Sequence, residues 1–318
     1  MNKAKEFDQF FTSDNVAQDC LKYLADIAPQ LGYKIFKDVH FLEPSAGGGA
    51  FLRALELQGL DKTGWDIDPQ CEDVIANDFL SSDNPPLPER EIIVIGNPPF
   101  GKRSKLAINF INRALEFSDT VAFILPIQFN KYSAQSKINS KAKLVLNYIL
   151  PSNSFIYRGE EYSVRCCFQV WTTRSGMMDL RIKEAPITKH PDFEMWQYNN
   201  TKQAEKYFNK NKYQWDFAVP RQGYKDYTIR EENPNLMNRR TQWIFFKANS
   251  PIVLERLRLL DYEKLSHKNT STPGFGKADV IEEYEKLYGS LVTSTDIQTF
   301  QLEDPKPSLA GNLPLFDL

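Results

Sequence analysis

The sequence predicts an α/β fold built on a mostly parallel sheet, followed by a smaller α+β domain. Residues 92–95 are four consecutive branched apolar residues, as expected for a parallel strand covered on both faces. An earlier glycine-rich turn at residues 47–49 joins a short apolar strand to a helix, which is typical of the first βα unit of such a sheet. From about residue 175 onward aromatic and basic residues become frequent, which indicates a separate domain.

Hydrophobic periodicity assigns the other elements in chain order. The first helix follows Ser13 or Asp14, either of which suits its N-cap. Further helices are predicted from the glycine turn to about Gly59, over residues 105–117, and after a last turn at residues 274–279. The predicted strands of the large sheet are residues 39–42, 62–69, 74–80, 92–95, 120–126, 144–150 and 166–171, and the last two form a hairpin-like pair.

Length and composition fit a two-domain globular protein. The chain has 318 residues, of which 42% are hydrophobic and 25% are charged. Its net charge of −2 is unevenly distributed, because residues 1–150 carry 16 basic and 19 acidic side chains, whereas residues 151–281 carry 21 and 15. The basic middle part is compatible with a surface that contacts phosphates. An ordinary solvated surface is the alternative interpretation of the same surplus.

The sequence predicts neither a metal site nor a membrane segment. Its four cysteines, Cys20, Cys71, Cys166 and Cys167, form no CxxC pair and are expected to be buried reduced thiols. No apolar run approaches the roughly 20 residues that span a bilayer, and the first residues contain no apolar signal core. A cytoplasmic protein is therefore expected.

The segment with the clearest chemistry follows the buried strand at residues 92–95. Asn97, Pro98, Pro99 and Phe100 form a stiff loop, because proline fixes its own φ and restricts the residue before it. Ligands of open α/β sheets bind at the carboxyl ends of strands, where this loop lies. The Asn97 amide oxygen and the Pro98 carbonyl can accept both hydrogens of one amino group, and Phe100 offers a face for an extruded base. A plain strand-to-helix turn is the alternative.

Acidic residues accompany the ends of the second and third strands. Asp66 lies about 20 positions after the glycine turn, where a carboxylate can accept hydrogen bonds from ribose hydroxyls. Asp68 is expected to cap a helix that follows the second strand. Asp78 leaves the third strand, where the alternative to a ligand contact is an aspartate that starts a turn.

These motifs resemble those of amino-methyltransferases that use S-adenosylmethionine, specifically the DNA adenine-N6 methyltransferases of the gamma arrangement. The likeness covers about the first 175 residues. Four features carry it: an acidic-Pro-x-Ala/Gly-x-Gly-x-Phe run, matched by the residues from Glu43 to Phe51, then Asp66, Asp78 and the Asn-Pro-Pro-Phe loop. The resemblance implies a Rossmann-like class I methyltransferase fold with a mixed seven-stranded sheet, S-adenosylmethionine as cofactor, and adenine N6 as the methyl acceptor.

The resemblance also implies roles for individual residues. Glu43 would face the sulfonium, Asp66 the ribose and Asp78 the adenine amino group of the cofactor, with Phe79 beside that ring. The implied cofactor-binding residues are Phe11, Thr12, Glu43, Ser45, Ala46, Gly47, Asp66, Ile67, Asp78, Phe79 and Asn97. The implied catalytic residues are Asn97, Pro98 and Phe100. The implied substrate-binding residues are Pro99, Lys102, Arg103, Phe155 and Tyr157.

Three regions are predicted: a catalytic domain over residues 1–175, a target-recognition domain over residues 176–290, and a flexible tail over residues 291–318. The middle region interleaves aromatic and basic residues, which suits contacts with bases and phosphates. The core and surface of a small domain would account for many of the same residues. The tail, from Asn312 to Leu318, resembles the short peptide that docks bacterial replication and repair proteins on the sliding clamp. A monomer that binds DNA is expected.

Other functions share parts of this pattern. Adenine methylation of ribosomal or small RNA uses the same loop and is the alternative to DNA methylation in a restriction-modification system or a phage. Glutamine methylation of a release factor uses a similar loop but comes with an N-terminal helical domain, for which the residues before Glu43 leave no room. Cytosine N4 methylation usually has Ser in place of Asn97. A non-catalytic nucleic-acid binder would not need Glu43, Asp66, Asp78 and Asn97 together.

Overall fold

The computed structural model describes most of the chain. The described ranges are residues 11–34, 36–81, 83–101, 104–151, 154–157, 160–162, 164–223, 226–268 and 273–289. The predictions for Lys102, for Arg103 and for the tail over residues 291–318 therefore lie outside the described residues. For Tyr157 only the backbone is described.

A seven-stranded sheet forms the first part of the protein. Its strands are β2 (His40–Glu43), β3 (Lys62–Asp66), β4 (Val74–Ala76), β5 (Ile92–Gly96), β6 (Thr120–Pro126), β7 (Lys143–Ile149) and β10 (Cys166–Thr172). They lie side by side in the order β4-β3-β2-β5-β6-β10-β7. Neighbours from β4 to β6 are parallel, and β10 is antiparallel to both β6 and β7.

This strand order confirms the predicted Rossmann-like class I methyltransferase fold. The five parallel strands have the order expected for two βαβ halves that start from a common centre, and the antiparallel β10 is inserted before β7 at one edge. The predicted pairing of the last two strands is confirmed as well, in the register Phe168 to Tyr148.

Helices cover both faces of this sheet, as its buried strands require. The α-helices of the described residues are α1 (Asp14–Ile27), α2 (Ala50–Leu57), α3 (Lys105–Ala114), α4 (Tyr132–Gln135), α5 (Lys210–Tyr213), α6 (Pro251–Leu259), α7 (Tyr262–Ser266) and α8 (Lys277–Tyr288). Alternate residues of β5 point to opposite layers: Ile93 and Ile95 pack with α1 and α2, whereas Val94 packs with α3. All three side chains are fully buried, as the apolar run predicts.

A small sheet joins the start of the described chain to the segment before β10. Its three strands are β1 (Phe11–Thr12), β8 (Phe155–Tyr157) and β9 (Glu160–Tyr162), in the order β1-β8-β9. The pairing of Thr12 with Phe155 brings β1 above the carboxyl end of the large sheet. The first residues of the described chain therefore form part of the roof of the cavity described below.

A second antiparallel sheet follows after residue 192. It consists of β11 (Phe193–Tyr198), β12 (Phe217–Gln222) and β13 (Gln242–Ala248), with β13 in the middle. One face packs on α6, α7 and α8, and the other packs on a 3-10 segment, Lys202–Phe208. The connecting residues between β10 and β11 contact the large sheet, because Asp179 accepts a hydrogen bond from the Leu144 N–H at 3.1 Å.

Two predicted helical features differ from the structure. No helix follows Asp68 among residues 67–73, all of which are described. The reason is local: the Asp66 carboxylate accepts the Asp68 N–H at 2.8 Å and bends the chain, and β4 begins at Val74, which leaves too few residues for a helix. Ser13 occupies the N-cap position of α1 with an extended backbone, but its side chain makes no capping hydrogen bond.

The described residues include no helix that is both long and apolar enough to cross a lipid bilayer.

Candidate active site

A cavity lies at the carboxyl ends of the central strands. The strand order reverses between β2 and β5, and such a switch point opens a crevice in α/β sheets. The cavity found there has a volume of about 590 Å³, within the usual range for small-molecule sites. Its walls come from β1 and from the ends of β2, β3, β4 and β5. Thus the polar residues that follow five separate strands surround one space.

The glycine turn after β2 is held in place by Asp66. Gly47 has a φ of 49°, a conformation that side-chain-bearing residues rarely adopt, and its N–H donates to Asp66 Oδ2 at 2.7 Å. The Phe11 ring covers this turn so closely that a Cβ at Gly47 would lie 3.3 Å from it. Both carboxylate oxygens of Asp66 thus accept backbone N–H groups, from Gly47 and Asp68. Each oxygen retains a second lone pair for a ligand hydroxyl.

Glu43 is a buried carboxyl group on the cavity wall. Only 2% of the residue is exposed, and its Oε2 atom has no hydrogen-bond partner among the described residues. Burial raises the pKa of this carboxyl well above its ordinary range, and the nearby Asp66 charge adds to that shift. The Leu52 N–H and Arg53 oppose it. A cationic group entering the cavity would supply the missing partner and favour the ionised carboxylate.

The Asn-Pro-Pro-Phe loop and the glycine turn are in direct contact. The Ser45 hydroxyl donates to the Asn97 carbonyl at 3.2 Å. Gly96 has a φ of 152°, and a Cβ there would lie 3.2 Å from Glu43 Cγ. Absence of a side chain at this position therefore allows the loop to pass against Glu43. Asn97 is half-buried and reaches the same cavity as Glu43.

Pro98 and Phe100 are more enclosed than Asn97. Pro98 is buried and Pro99 is half-buried, and both line the cavity. The Phe100 ring also reaches the cavity, but 91% of the residue is covered because it packs into the core beside α1 and α2. Only part of its apolar face is therefore open to a ligand in this conformation.

The wall after β4 combines an exposed acid with a buried ring. Asp78 is exposed, and its Oδ1 accepts the Leu80 N–H at 3.0 Å. Asp78 therefore starts a turn, which is the alternative to a ligand contact. The Phe79 ring lies 5.1 Å from Phe110 and 6.2 Å from Trp65 in an aromatic cluster under the cavity floor. Phe79 is only 1% exposed, so its ring packs behind the cavity wall and contributes little surface to the cavity.

The structure brings most of the predicted site residues together and separates a few. Those that line the cavity are Phe11, Thr12, Glu43, Ser45, Ala46, Gly47, Asp66, Ile67, Asp78, Phe79, Asn97, Pro98, Pro99 and Phe100. Phe155 does not line it, because its ring is fully buried in the core beside α1. It cannot contact an extruded base without a rearrangement, so the structure corrects its predicted substrate contact.

Several cavity residues were not predicted. Asp14 and Arg53 form an ion pair that joins α1 to α2 at the rim, and Arg53 also donates to the Gly48 carbonyl. No pattern in the sequence relates two residues so far apart. Asn77 follows β4 directly, and its position before Asp78 could have indicated it. Cys71 was predicted to be buried but is half-exposed beside the glycine turn, with Sγ 3.3 Å from the Gly47 carbonyl.

No family model matches the chain, and no curated protein matches it. Solved structures similar to about half of the chain include a candidate RNA methyltransferase from Pyrococcus horikoshii, at 17% identity and a TM-score of 0.41, with 52% of this chain and 87% of that one covered. A candidate class I S-adenosylmethionine-dependent methyltransferase from Listeria monocytogenes has 16% identity and a TM-score of 0.38, covering 52% and 63%. A Thermoplasma acidophilum protein has 17% identity and a TM-score of 0.35, covering 51% and 98%.

Proposed function

We propose that the protein transfers the methyl group of S-adenosylmethionine to the N6 amino group of adenine in DNA. The observation that carries this proposal is that one cavity contains both the buried carboxyl group of Glu43, whose Oε2 atom has no hydrogen-bond partner among the described residues, and the amide of the Asn-Pro-Pro-Phe loop, Asn97. A plain strand-to-helix turn would not require the loop to face a cavity of about 590 Å³. Nor would it require Gly96 and Ser45 to join that loop to the glycine turn.

The cavity fits S-adenosylmethionine by the chemistry of its walls. Two buried oxygen atoms of wall residues, Glu43 Oε2 and Thr12 Oγ1, have no hydrogen-bond partner among the described residues. Buried polar atoms are usually paired, so their position favours a polar, cationic ligand. Glu43 and Thr12 would hold the charged end of the cofactor, and Asp66 its ribose. When bound, S-adenosylmethionine supplies an electrophilic methyl group on a positively charged sulfur.

Asn97 and Pro98 would hold the methyl acceptor. The Asn97 amide oxygen and the Pro98 carbonyl are neutral acceptors on a stiff loop, so they can bind both hydrogens of an exocyclic amino group without reorganising. This geometry orients the amino lone pair toward the cofactor side of the cavity, where Glu43 lies. As the new carbon–nitrogen bond forms, the methyl–sulfur bond would break, the sulfur would keep the bonding electron pair and leave as a neutral thioether, and the nitrogen would release one proton. The exposed rim of the cavity gives that proton a route to water.

Ser45 would act as a positioning residue between the two halves of the site. Its hydroxyl reaches the Asn97 carbonyl, while its backbone belongs to the turn that would bind the cofactor. A displacement of either half is thereby transmitted to the other through one hydrogen bond. We infer that this contact helps to keep acceptor and donor in register, since errors of about 1 Å in such sites can cost on the order of 100-fold in rate.

A labelling experiment tests the choice of substrate. Purified protein is incubated with S-adenosylmethionine carrying a tritiated methyl group and, separately, with DNA, ribosomal RNA and a protein extract. Label is expected in DNA. Label confined to RNA would support the alternative adenine-N6 reaction on RNA, and label confined to protein would refute a nucleic-acid substrate.

Replacing Asp66 is expected to weaken cofactor binding and loosen the glycine turn. Asp66→Ala removes the acceptor of the Gly47 and Asp68 N–H groups as well as the proposed ribose contact. We expect the dissociation constant for S-adenosylmethionine to rise at least tenfold, with a loss of about 1.5–3 kcal/mol of stability, the usual range for hydrogen bonds to charged groups. Calorimetry and thermal unfolding measure the two effects.

Asp68→Ala is the matched control, because Asp68 is exposed and does not line the cavity. It should leave both quantities near those of the wild type. An unaltered dissociation constant in Asp66→Ala would reassign the ribose contact to another residue.

Residues 312–318 are proposed to dock on a bacterial sliding clamp through Leu315 and Phe316. Deleting residues 312–318 should abolish clamp pull-down and leave methylation of short oligonucleotides unchanged, because the peptide is far in sequence from the cavity residues. Pull-down that persists after the deletion would refute this contact.

A further inference from the structure

Three loops meet at one end of the antiparallel sheet formed by β11, β12 and β13. Strands β11 and β12 end there, and β13 begins there, since Tyr198 pairs with Trp243 and Gln222 pairs with Gln242. The loop after β11 and the loop before β13 are therefore neighbours, although about 40 residues separate them in the chain.

This end of the sheet carries exposed cationic and amide side chains. Arg239 and Arg240 precede β13, and Asn199, Asn200 and Lys202 follow β11; all five residues are exposed. Neither arginine forms an ion pair with a described residue. Two other cations near this sheet are paired, since Arg258 pairs with Glu232 and Lys247 pairs with Glu194. We call the five residues Asn199, Asn200, Lys202, Arg239 and Arg240 the sheet-end surface.

The backbone under these side chains is fixed. The Tyr198 hydroxyl donates to the Arg239 carbonyl at 2.9 Å, and the Asn200 amide donates to the Arg240 carbonyl at 3.0 Å. The Arg239 guanidinium carbon lies 3.5 Å from the centre of the Phe208 ring, which holds the side chain without neutralising its charge. The charges are therefore presented on a rigid support, which lowers the entropy lost when they bind.

Arg221 organises amide groups beside the arginines. Its Nη1 donates to Asn199 Oδ1 at 3.1 Å and to Gln242 Oε1 at 2.6 Å, while its Nε donates to the Phe275 carbonyl at 3.0 Å. The amide oxygens of Asn199 and Gln242 are thus turned toward Arg221. Amide side chains are among the groups that recognise base edges in a DNA groove.

The sheet-end surface lies on the side of the second sheet that approaches the candidate active site. The Phe275 N–H donates to the Arg221 carbonyl at 3.0 Å, and α8 starts two residues later. From its first turn, Asp279 reaches to 3.8 Å from Lys131 Nζ. Lys131 directly follows the turn that leaves β6, the neighbour of β5 at the carboxyl edge of the large sheet. Phe275 and Asp279, which make these contacts, are only four residues apart in the chain. This end of the β11–β13 sheet is therefore close to the carboxyl edge of the large sheet.

We propose that the sheet-end surface binds the phosphate backbone of duplex DNA beside the target adenine, with Arg239 and Arg240 as the phosphate contacts. This inference rests on the proposed function for the choice of DNA, but not for the presence of a polyanion site. Unpaired arginines on a fixed loop suit phosphate, because a guanidinium donates to two phosphate oxygens at once. Duplex DNA bound there would extend toward the carboxyl edge of the large sheet, where Asn97 would bind an extruded base.

Binding measurements without turnover test this proposal. Fluorescence anisotropy with a labelled DNA duplex is measured over a series of salt concentrations for the wild type and for Arg239→Gln/Arg240→Gln. We expect the dissociation constant of the double variant to rise at least tenfold. The slope of its logarithm against that of salt should fall by nearly two, since each lost phosphate contact removes about 0.9. Arg240→Gln alone, which leaves Arg239 on Phe208, should lose about half of the slope change.

Lys247→Gln is the matched control, because it removes one charge at the opposite end of β13. It should bind DNA like the wild type. Equal losses in Lys247→Gln and in the arginine variants, or wild-type affinity in the arginine variants, would overturn the proposal. Tighter binding of the RNA duplex of the same sequence would overturn the choice of DNA. A wild type that methylates no nucleic acid would refute the proposed function and leave the binding result to be judged by itself.

Discussion

Asn97→Ala is expected to abolish most methyl transfer while leaving S-adenosylmethionine binding intact. The side-chain oxygen of Asn97 is one of two proposed acceptors for the adenine amino group, and it acts most strongly as the amino nitrogen becomes positively charged in the transition state. Loss of one such preorganised group typically costs about 10²- to 10³-fold in turnover. The Glu43 and Asp66 side of the cavity is unchanged by the substitution, so the cofactor affinity should stay within about twofold.

Single-turnover methylation and calorimetry separate these two effects. Asn97→Asp keeps an oxygen acceptor at the same position and should retain more activity than Asn97→Ala. Asn15→Ala is a matched control, because Asn15 is exposed on α1 and does not line the cavity. Unchanged turnover in Asn97→Ala would remove Asn97 from the mechanism. Equal loss of cofactor binding and turnover would mean that Asn97 serves the cofactor rather than the acceptor.

Glu43→Gln is expected to stabilise the free protein and to weaken the cofactor complex. Folding buries this carboxyl without a partner for Oε2, and burial raises its pKa far above the ordinary value of 4.5. At neutral pH the unfolded chain carries an ionised Glu43, so folding requires either proton uptake or a buried charge. Glutamine has the same shape and needs neither. The free variant should therefore unfold at a higher temperature than the wild type at pH 7.

The pH dependence follows from the direction of this shift. Below about pH 4.5 the carboxyl is protonated in both states, and its effect on stability is absent. As pH rises from there, the unfolded state ionises first, and the native state loses up to about 1.4 kcal/mol of stability per pH unit until the raised pKa of the folded state is reached. Glu43→Gln should lack this loss. Thermal unfolding of both proteins from pH 4 to pH 8 measures the difference.

As pH rises, the affinity for S-adenosylmethionine should increase, whereas the stability of the free protein decreases. A cationic sulfonium favours the ionised Glu43 carboxylate, so binding of S-adenosylmethionine should release a proton and strengthen as pH rises. S-adenosylhomocysteine has a neutral sulfur and should show less of this dependence. Glu43→Gln should raise the dissociation constant for S-adenosylmethionine at least tenfold and reduce its preference over S-adenosylhomocysteine. Equal losses for both ligands would indicate that Glu43 contacts a charged group other than the sulfonium.

The positions of the central strands and the composition of the cavity could be predicted because short-range patterns determine them. The run at residues 92–95 has the apolar character of a central parallel strand, and the glycine turn must follow the first strand of the sheet. Carboxyl ends of parallel strands share one edge, so Glu43, Asp66 and Asn97 had to be close together once those strands were assigned. The pairing of β10 with β7 was predicted from two apolar runs of similar length, and their register was not.

The features that could not be predicted depend on contacts between distant residues. Nothing near Phe155 in the sequence indicates that its pairing with Thr12 directs its ring into the core. Asp66 was assigned to a ligand, but its carboxylate also holds the glycine turn, because that turn presents unpaired N–H groups. The same carboxylate prevents the helix expected after Asp68.

The aromatic and basic residues after residue 175 divide between two interpretations: some belong to a packed core, and others are candidates for contacts with bases and phosphates. Trp215, Phe217 and Tyr227 are core residues, as a small packed domain requires. Arg230 donates to backbone carbonyls of residues 258 and 260 and is structural too. Among the described arginines of residues 176–290, only Arg239 and Arg240 are exposed, and neither forms an ion pair with a described residue. Composition cannot separate the two sets, because both contain the same residue types.

Nucleoside analysis tests the central claim most directly. DNA incubated with the purified protein and S-adenosylmethionine is digested to nucleosides, which are separated and identified by mass. The account predicts N6-methyl-2′-deoxyadenosine in the wild-type reaction and its loss with Asn97→Ala. Methylated cytosine, or an unmodified digest from a protein that binds S-adenosylmethionine, would contradict it.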